Sequence, residues 1–480
     1  MSRTAAWPRP RDLLFAAVAA YATGFAALSI LRHRAFGTGR FDLGNMVQAV
    51  WSTAHGHPLR VTNLRGDQAS RLAAHFDPVL ALFAPLWWAW PSPSMLLTVQ
   101  AVAVSLGALP VFWLARKHLR SDAAALGFAL AYLLLPAVQW LTLNEFHPVA
   151  LACPLLLYAF WYRYEDRLLP FAVFAVFAAV TKEEIPLAIA GLGLWYALAR
   201  RRRSGLLIAT AGAGLAALAI EVVIPHFNSG AASSFYTRYG DVGGSAAGIL
   251  RTALTDPLKL LSTAFSERGL HYLGELFVPL GGLWLLAPVA LLAALPDLAL
   301  NLLSATPTQT SIHFHYTAGA IPGLVAASIL GGGRLVRRRP DVAGALGTAA
   351  LVLALAANYH LGAIPFWREL PGGQSYQAYE SSVSRHARIA ARALSLIPSR
   401  AVVSATNSLG AHLSERRRIL SFPYIQDATW VAADETEPGY ADRLAPLPTA
   451  VQLAALRRNP AWNLVFEDDG VLVFRRIAFP

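Results

Sequence analysis

Charge is scarce in this chain. Only 14% of its 480 residues are Asp, Glu, Lys or Arg, against about 25% in soluble domains. Cysteine is nearly absent as well. Cys153 stands alone inside an apolar run, which excludes an intrachain disulfide and leaves a packing role. No internal repeat stands out, so the inverted halves typical of many transporters have no signature here. What is abundant is apolar: 55% of residues, with a mean hydropathy of +0.44. The apolar runs approach the roughly 20 residues needed to cross a bilayer, so the fold class read from them is an α-helical polytopic membrane protein. The net charge of +12 does not signal a nucleic-acid partner. Its arginines bunch just after apolar segments, at Arg116 to Arg120, Arg200 to Arg203 and Arg334 to Arg339, as they do on the cytoplasmic side of membrane proteins.

Arg3, Arg9 and Arg11 precede an apolar stretch from Leu13 to Leu31. This is too long for the core of a cleavable signal peptide and is read as a retained first helix, entered from the cytoplasm. An outer loop over residues 32–93 follows, ending in Leu86-Trp87-Trp88-Ala89-Trp90. It is expected to lie along the interface as one or two juxtamembrane helices. Further spans are expected at Met95–Leu114, Ala123–Leu143, Val149–Trp161, Leu169–Val180, Ile185–Ala199 and Leu206–Val223. A broken pair between Leu276 and Ser304, then Thr317–Leu330 and Val342–Asn358, complete about eleven transmembrane helices. A second outer loop, polar and Gly- and Ser-rich, covers residues 225–273. The transmembrane part is thus residues 1–360, in the plasma membrane with the N-terminus cytoplasmic. Residues 361–480 are richer in charge and read as a small extracytoplasmic α/β domain. Its strands are expected at Arg400–Ala405, Arg418–Phe422, Trp462–Phe466 and Gly470–Arg475, with a helix at Leu409–Arg416.

The polar residues at the span ends are sorted. Asp42, His75, Asp77, Glu145, His147, Glu183, Glu184, His313 and His315 all fall where the chain leaves the lipid on the outer side, and the arginine clusters fall opposite. That pattern suits chemistry at one membrane face. Asp42, in Phe41-Asp42-Leu43-Gly44-Asn45, can stay ionised at the surface and take a proton from an acceptor; it equally suits a helix N-cap. His75 and Asp77 can form a pair or share a metal, while Asp77 before Pro78 also fits a cap. Glu145 and His147 join two spans and are either functional or interfacially solvated. In Thr181-Lys182-Glu183-Glu184, Lys182 neutralises one carboxylate and leaves the other available. His313 and His315 share a side if extended. With Asp77 they are the candidate ligands of a divalent metal ion. Arg238, between Tyr236 and Tyr239, is placed to clamp a phosphate or simply to sit at the interface.

Several of these motifs occur together in a known order. Phe41-Asp42-Leu43-Gly44 with Gln48 and Trp51, His75-Phe76-Asp77-Pro78, Glu145-Phe146-His147-Pro148, Lys182-Glu183 and His315-Tyr316 resemble the domain-of-unknown-function 2079 family of membrane proteins. In the tail, Val402-Val403-Ser404-Ala405-Thr406-Asn407 with His412-Leu413-Ser414 and Arg416 resembles the same family. That family is similar in layout to the GT-C glycosyltransferases. The resemblance implies a GT-C-like fold, a polyprenyl-phosphate-linked sugar and membrane lipid as partners, and Asp42 at the position of the catalytic Asp. It also implies inversion, since a single displacement needs one base and no enzyme nucleophile. The sequence departs from the pattern in having no clear D-x-D or paired acidic motif around Asp42, which stands alone with Asp77 much later.

The leading reading is a glycosyltransferase with Asp42 catalytic and with His75, Asp77, Glu145, His147, Lys182, Glu183, Arg238, His315 and Tyr316 lining the substrate site. The alternatives are a transporter or flippase of a lipid-linked or small anionic substrate, and a non-catalytic receptor or assembly factor acting through its outer domain.

Overall fold

Arg9 is extended and Pro10 takes the first helical position, where its missing N–H costs nothing. The first helix therefore runs Pro10–Arg34. The computed structural model describes residues 9–232, 234–376, 381–436, 438–439, 441–444 and 447–477. Residues 1–8, Arg3 among them, lie outside the described residues. Among the described residues, four helices are long and apolar enough to cross a bilayer: Pro10–Arg34, Pro93–Leu119, Ser204–Phe227 and Pro340–Leu361. Asp122–Leu134 and Pro136–Leu143 make a fifth if taken as one span, bent by 47°. Leu168–Ala179 and Ile185–Ala199 are apolar but shorter. Small residues bring the helices together. A Cβ on Gly127 would lie 2.4 Å from the Gly347 carbonyl oxygen.

Two expectations are corrected. The pair of short spans between Leu276 and Ser304 is instead the end of helix Glu267–Phe277, three 3-10 turns and the helix Leu295–Leu303. Pro279, Pro288 and Pro296 remove backbone donors, and Gly281 and Gly282 are left-handed at φ 66° and 74°, so no helix of span length propagates. The polar loop 225–273 is largely helical, with helices Ala246–Thr255, Pro257–Ala264 and Glu267–Phe277. Ser245, Asp256 and Ser266 each cap one of them by accepting a backbone amide. Leu250, Leu254, Leu258 and Leu261 are exposed along this segment, as suits helices lying in an interface.

The arginine-rich ends meet. Tyr164 carries Lys117 and Arg200 over its ring at 5.4 and 4.9 Å. Asp166 takes Arg163 at 3.1 Å and Arg200 at 3.6 Å.

The first outer loop holds helix Asn45–Ala54 and, as expected, a short aromatic helix, Ala84–Ala89. Between them an unforeseen hairpin pairs β1 (Arg60–Thr62) with β2 (Gln68–Ser70). The C-terminal domain, expected on the outer side, holds a five-stranded sheet of β3 (Val403–Ala405), β4 (Ile419–Ser421), β5 (Trp430–Asp434), β6 (Trp462–Asp468) and β7 (Val471–Arg476). The strand order is β4-β3-β5-β7-β6. β3 is parallel to β4 and β5, while β7 is antiparallel to β5 and β6. Both faces are covered, so β7 reads as an unbroken apolar run. Val471 and Val473 pack with Ile389 and Ala390 of helix Arg385–Ser395 on one face, and Leu472 and Phe474 pack with Leu453 and Leu456 of helix Thr449–Arg458 on the other.

Candidate functional site

Helix Asn45–Ala54 is preceded by one π-helical turn, Arg40–Gly44. Such turns recur at functional sites. Asp42 sits inside this turn and caps neither element. Its Oδ1 lies 3.3 Å from His147 Nε2. Glu145 grips the turn at two points: its Oε1 accepts the Gly39 amide at 3.0 Å and its Oε2 the Leu43 amide at 2.8 Å. Glu145 itself is left-handed, φ 54°, a conformation uncommon outside glycine. The chain thus reverses directly after the bent span and presents Glu145 and His147 to the loop. His147 Nδ1 faces the Asn144 carbonyl oxygen at 2.7 Å, so both ring nitrogens point at acceptors.

Electrostatics separates the two carboxyls. Burial raises Asp42, but the His147 hydrogen bond and the charges of His147, Arg71 and His75 outweigh it and hold the group below the ordinary carboxylate range. Burial, then the Asp42 charge, pushes Glu145 up to about 7. Asp42 is the ionised member of the pair, and its side chain remains 39% exposed.

A second group lies beside it. His75 Nδ1 meets Glu183 Oε1 at 2.8 Å, and Glu183 Oε2 accepts the Phe76 amide at 3.0 Å. Burial alone would raise Glu183; His75, its hydrogen bond and Lys182 bring it down to about 2. Asp77 precedes Pro78 as a cap would, yet its side chain caps nothing. It is 2% exposed and pairs with Arg71 at 2.8 Å. Lys182 pairs with Glu184 at 2.7 Å and sits over the Tyr316 ring at 5.1 Å. Arg238 reaches the Tyr316 hydroxyl at 3.4 Å and covers the Phe235 ring at 4.3 Å. Phe235 in turn stacks on His75, centroids 4.4 Å apart. Phe235 and Arg238 therefore cover His75 and Tyr316.

Most of the residues singled out in the sequence come together. Asp42, Glu145, His147 and His315 form one group, and His75, Asp77, Glu183, Lys182, Tyr316 and Arg238 form its neighbour. His313 stacks on Tyr376 at 3.9 Å, beside Trp140. Tyr236 turns away from Arg238 and donates to Glu221. Among the described residues, no group of three or more His, Cys, Asp and Glu is arranged to hold a metal ion. Asp77, His313 and His315 are engaged separately, with Arg71, Tyr376 and Asn144. Arg71, Asn144, Arg40 and Asn407 were not foreseen. Asn407 stood only at the end of the tail segment that carries the family resemblance, and Arg71 gave no local signal.

The architecture has solved counterparts. Two structures of ArnT from Cupriavidus metallidurans align with the chain: one bound to undecaprenyl phosphate (TM-score 0.52, 13% identity, 98% of each chain), the other in the apo state (TM-score 0.52, 14% identity, 97% of this chain and 98% of that one). Fold and site together define a helical membrane protein with the fold of these two structures and a charged cluster beside its C-terminal domain. The chain belongs to the family described as "Predicted membrane protein (DUF2079)", which matches residues 32–473. No curated protein matches it.

Proposed function

We propose that this protein is a membrane glycosyltransferase that moves a sugar from a polyprenyl-phosphate-linked donor to an acceptor hydroxyl at the outer face of the plasma membrane. The observation that carries the reading is the state of the carboxylates. Glu145 and Glu183 have both oxygens engaged, Glu184 is tied to Lys182, and Asp77 is buried against Arg71. Asp42 is ionised, held from one side by His147, and open on the other. A base needs that combination: a fixed carboxylate with an oxygen free to meet a hydroxyl.

In the reaction, Asp42 takes the acceptor proton as the acceptor oxygen attacks the anomeric carbon. The bond from that carbon to the phosphate oxygen breaks, and the electron pair leaves with the polyprenyl phosphate. Lys182 and Arg238 supply positive charge for it. One displacement inverts the anomeric centre. The ArnT structure with undecaprenyl phosphate supports the donor class through its shared fold. The topology belonging to this reading places the N-terminus in the cytoplasm and residues 361–480 outside.

The test is transfer from a panel of polyprenyl-phosphate sugars by the purified protein in lipid nanodiscs, with the product anomer read by NMR. Equal transfer by native protein and Asp42→Asn would remove Asp42 from the chemistry. A transporter reading would start from Asp297, 6% exposed with one oxygen unpartnered. It would be favoured by movement of labelled lipid across the bilayer without sugar transfer.

A further inference from the structure

The turn that carries Asp42 is not held by the helical domain alone. Arg40, its first residue, sends its guanidinium into the outer domain. One Nη donates to the carbonyl oxygens of Thr62 at 2.8 Å and Ile419 at 2.7 Å, and the other donates to Ser421 Oγ at 2.6 Å. The residue is 4% exposed, and its hydrogen-bond acceptors among the described residues are all neutral. Burying a guanidinium against neutral oxygens is costly. Its use here is geometrical: it ties the turn to the edge strand β4.

Phe41 is tied next. Its amide donates to Asn407 Oδ1 at 2.9 Å. Asn407 is itself set by Asp442, whose two carboxylate oxygens accept its backbone amide at 2.9 and 3.1 Å. Two glycines permit the approach. A Cβ on Gly39 would lie 2.4 Å from Asn407 Nδ2, and one on Gly44 would lie 2.5 Å from Ser414 Oγ. The turn is therefore clamped twice: Glu145 and His147 grip it from the helical domain, and Asn407 and the Arg40 anchor grip it from the outer domain.

We infer that the outer domain is a working part of the Asp42 site, with Asn407 a positioning residue that aims the Asp42 carboxylate through the Phe41 amide. This rests on the reading of Asp42 as the base. A misplacement of about 1 Å is enough to cost a reaction two orders of magnitude, so a contact that orients the peptide next to the base matters without touching substrate. Whatever shifts the end of β3 shifts Asp42 with it.

The experiment reads Asp42 directly and needs no turnover. Full-length protein in nanodiscs is treated with a water-soluble carbodiimide and a glycine ester over a pH series. Conversion of Asp42 is followed by peptide mass spectrometry, with Asp341, 64% exposed at the side chain, as the internal reference. Asn407→Ala is expected to raise the Asp42 rate about tenfold, the equivalent of one hydrogen bond, and to move its midpoint to higher pH. Asn407→Asp keeps the accepting oxygen and is expected to label like the native protein. Ser421→Ala removes one Arg40 partner and is expected to raise the rate about two- to threefold; it carries the test if Asn407→Ala does not fold. Native rates and midpoints in both alanine variants would overturn the inference. So would Asn407→Asp labelling as fast as Asn407→Ala. Absence of sugar transfer by the native protein would instead sink the transferase reading and leave the labelling result standing.

Discussion

His147 and His315 lie face to face, ring centroids 3.8 Å apart and planes 21° from parallel. They come from two different turns between helices, and Asn144 joins them: its carbonyl oxygen faces His147 Nδ1, and its side-chain oxygen takes the His315 amide at 3.2 Å. Burial, followed by the charges of His147, Lys182, His75 and Arg238, pushes His315 well below its ordinary value. His315 is thus a neutral plate against which His147 is held toward Asp42.

Asp42→Asn keeps the shape of the turn and removes the base. Transfer from a polyprenyl-phosphate sugar is expected to fall by about 10²–10⁴-fold, with the thermal midpoint close to native. Initial rates and a melting curve on the same preparation check it.

The pH profile follows from the direction of the Asp42 shift. His147 lowers Asp42, so deleting it lets the carboxyl return upward. The acidic limb of the rate profile, where Asp42 takes up a proton, is expected to move to higher pH in His147→Ala. In His315→Phe, which keeps an aromatic plate behind His147, the limb is expected to stay near its native position. An unmoved limb in His147→Ala would separate the histidine from the base.

Glu145 gives a stability signature of the opposite sign. It rises from 4.5 to about 7 on folding, so between those values the folded chain binds the proton that the unfolded chain releases. The contribution is complete below 4.5 and lost as pH rises through about 7. Glu145→Gln is expected to flatten that decline. It should also loosen the turn, because its NH₂ would face one of the two backbone amides. Melting curves of both proteins across this window check it, and parallel curves would contradict it.

Arg71 and Asp77 form a buried pair, 7% and 2% exposed at the side chain. Asp77→Ala leaves the guanidinium uncompensated and is expected to destabilise by about 3–5 kcal/mol. Adding Arg71→Met should recover most of the loss. Denaturation of the two variants in the same detergent decides it.

The sequence made the site partly legible because lipid punishes polarity. Asp42, Glu145, His147 and Glu183 stand out at span ends, where a bland packing residue would be apolar. Their pairings were not legible. His75 meets Glu183 across 108 positions, and Phe41 meets Asn407 across 366; no local pattern encodes such distances. Arg71 was hidden because an arginine in an outer loop reads as solvated. The stretch from Leu276 to Ser304 reads as broken once, near Pro288 or Pro296, whereas Pro279 and the left-handed Gly281 and Gly282 interrupt it again. The caps Ser245, Asp256 and Ser266 were readable, but the surrounding glycines and serines outweighed them. β5 was missed because Trp430–Asp434 is five residues long and carries two alanines.

The bend at Leu135 reaches past its own helix. Leu135 is extended at ψ 126° and breaks the helical ladder. Side chains meet the carbonyl oxygens of Leu133 and Leu134: Gln139 Nε2 at 3.3 Å and Asn358 Nδ2 at 2.7 Å. Gln139 also accepts the Ala363 amide at 3.0 Å, and Asn358 accepts the Trp367 indole at 2.8 Å. The crooked segment that bears Glu145 and His147 is thereby fastened to the stem from which the outer domain grows. Glu145 and His147, the two residues that hold Asp42, thus share their footing with that stem, and Asn358→Ala is expected to alter the carbodiimide labelling of Asp42 although it touches none of the three.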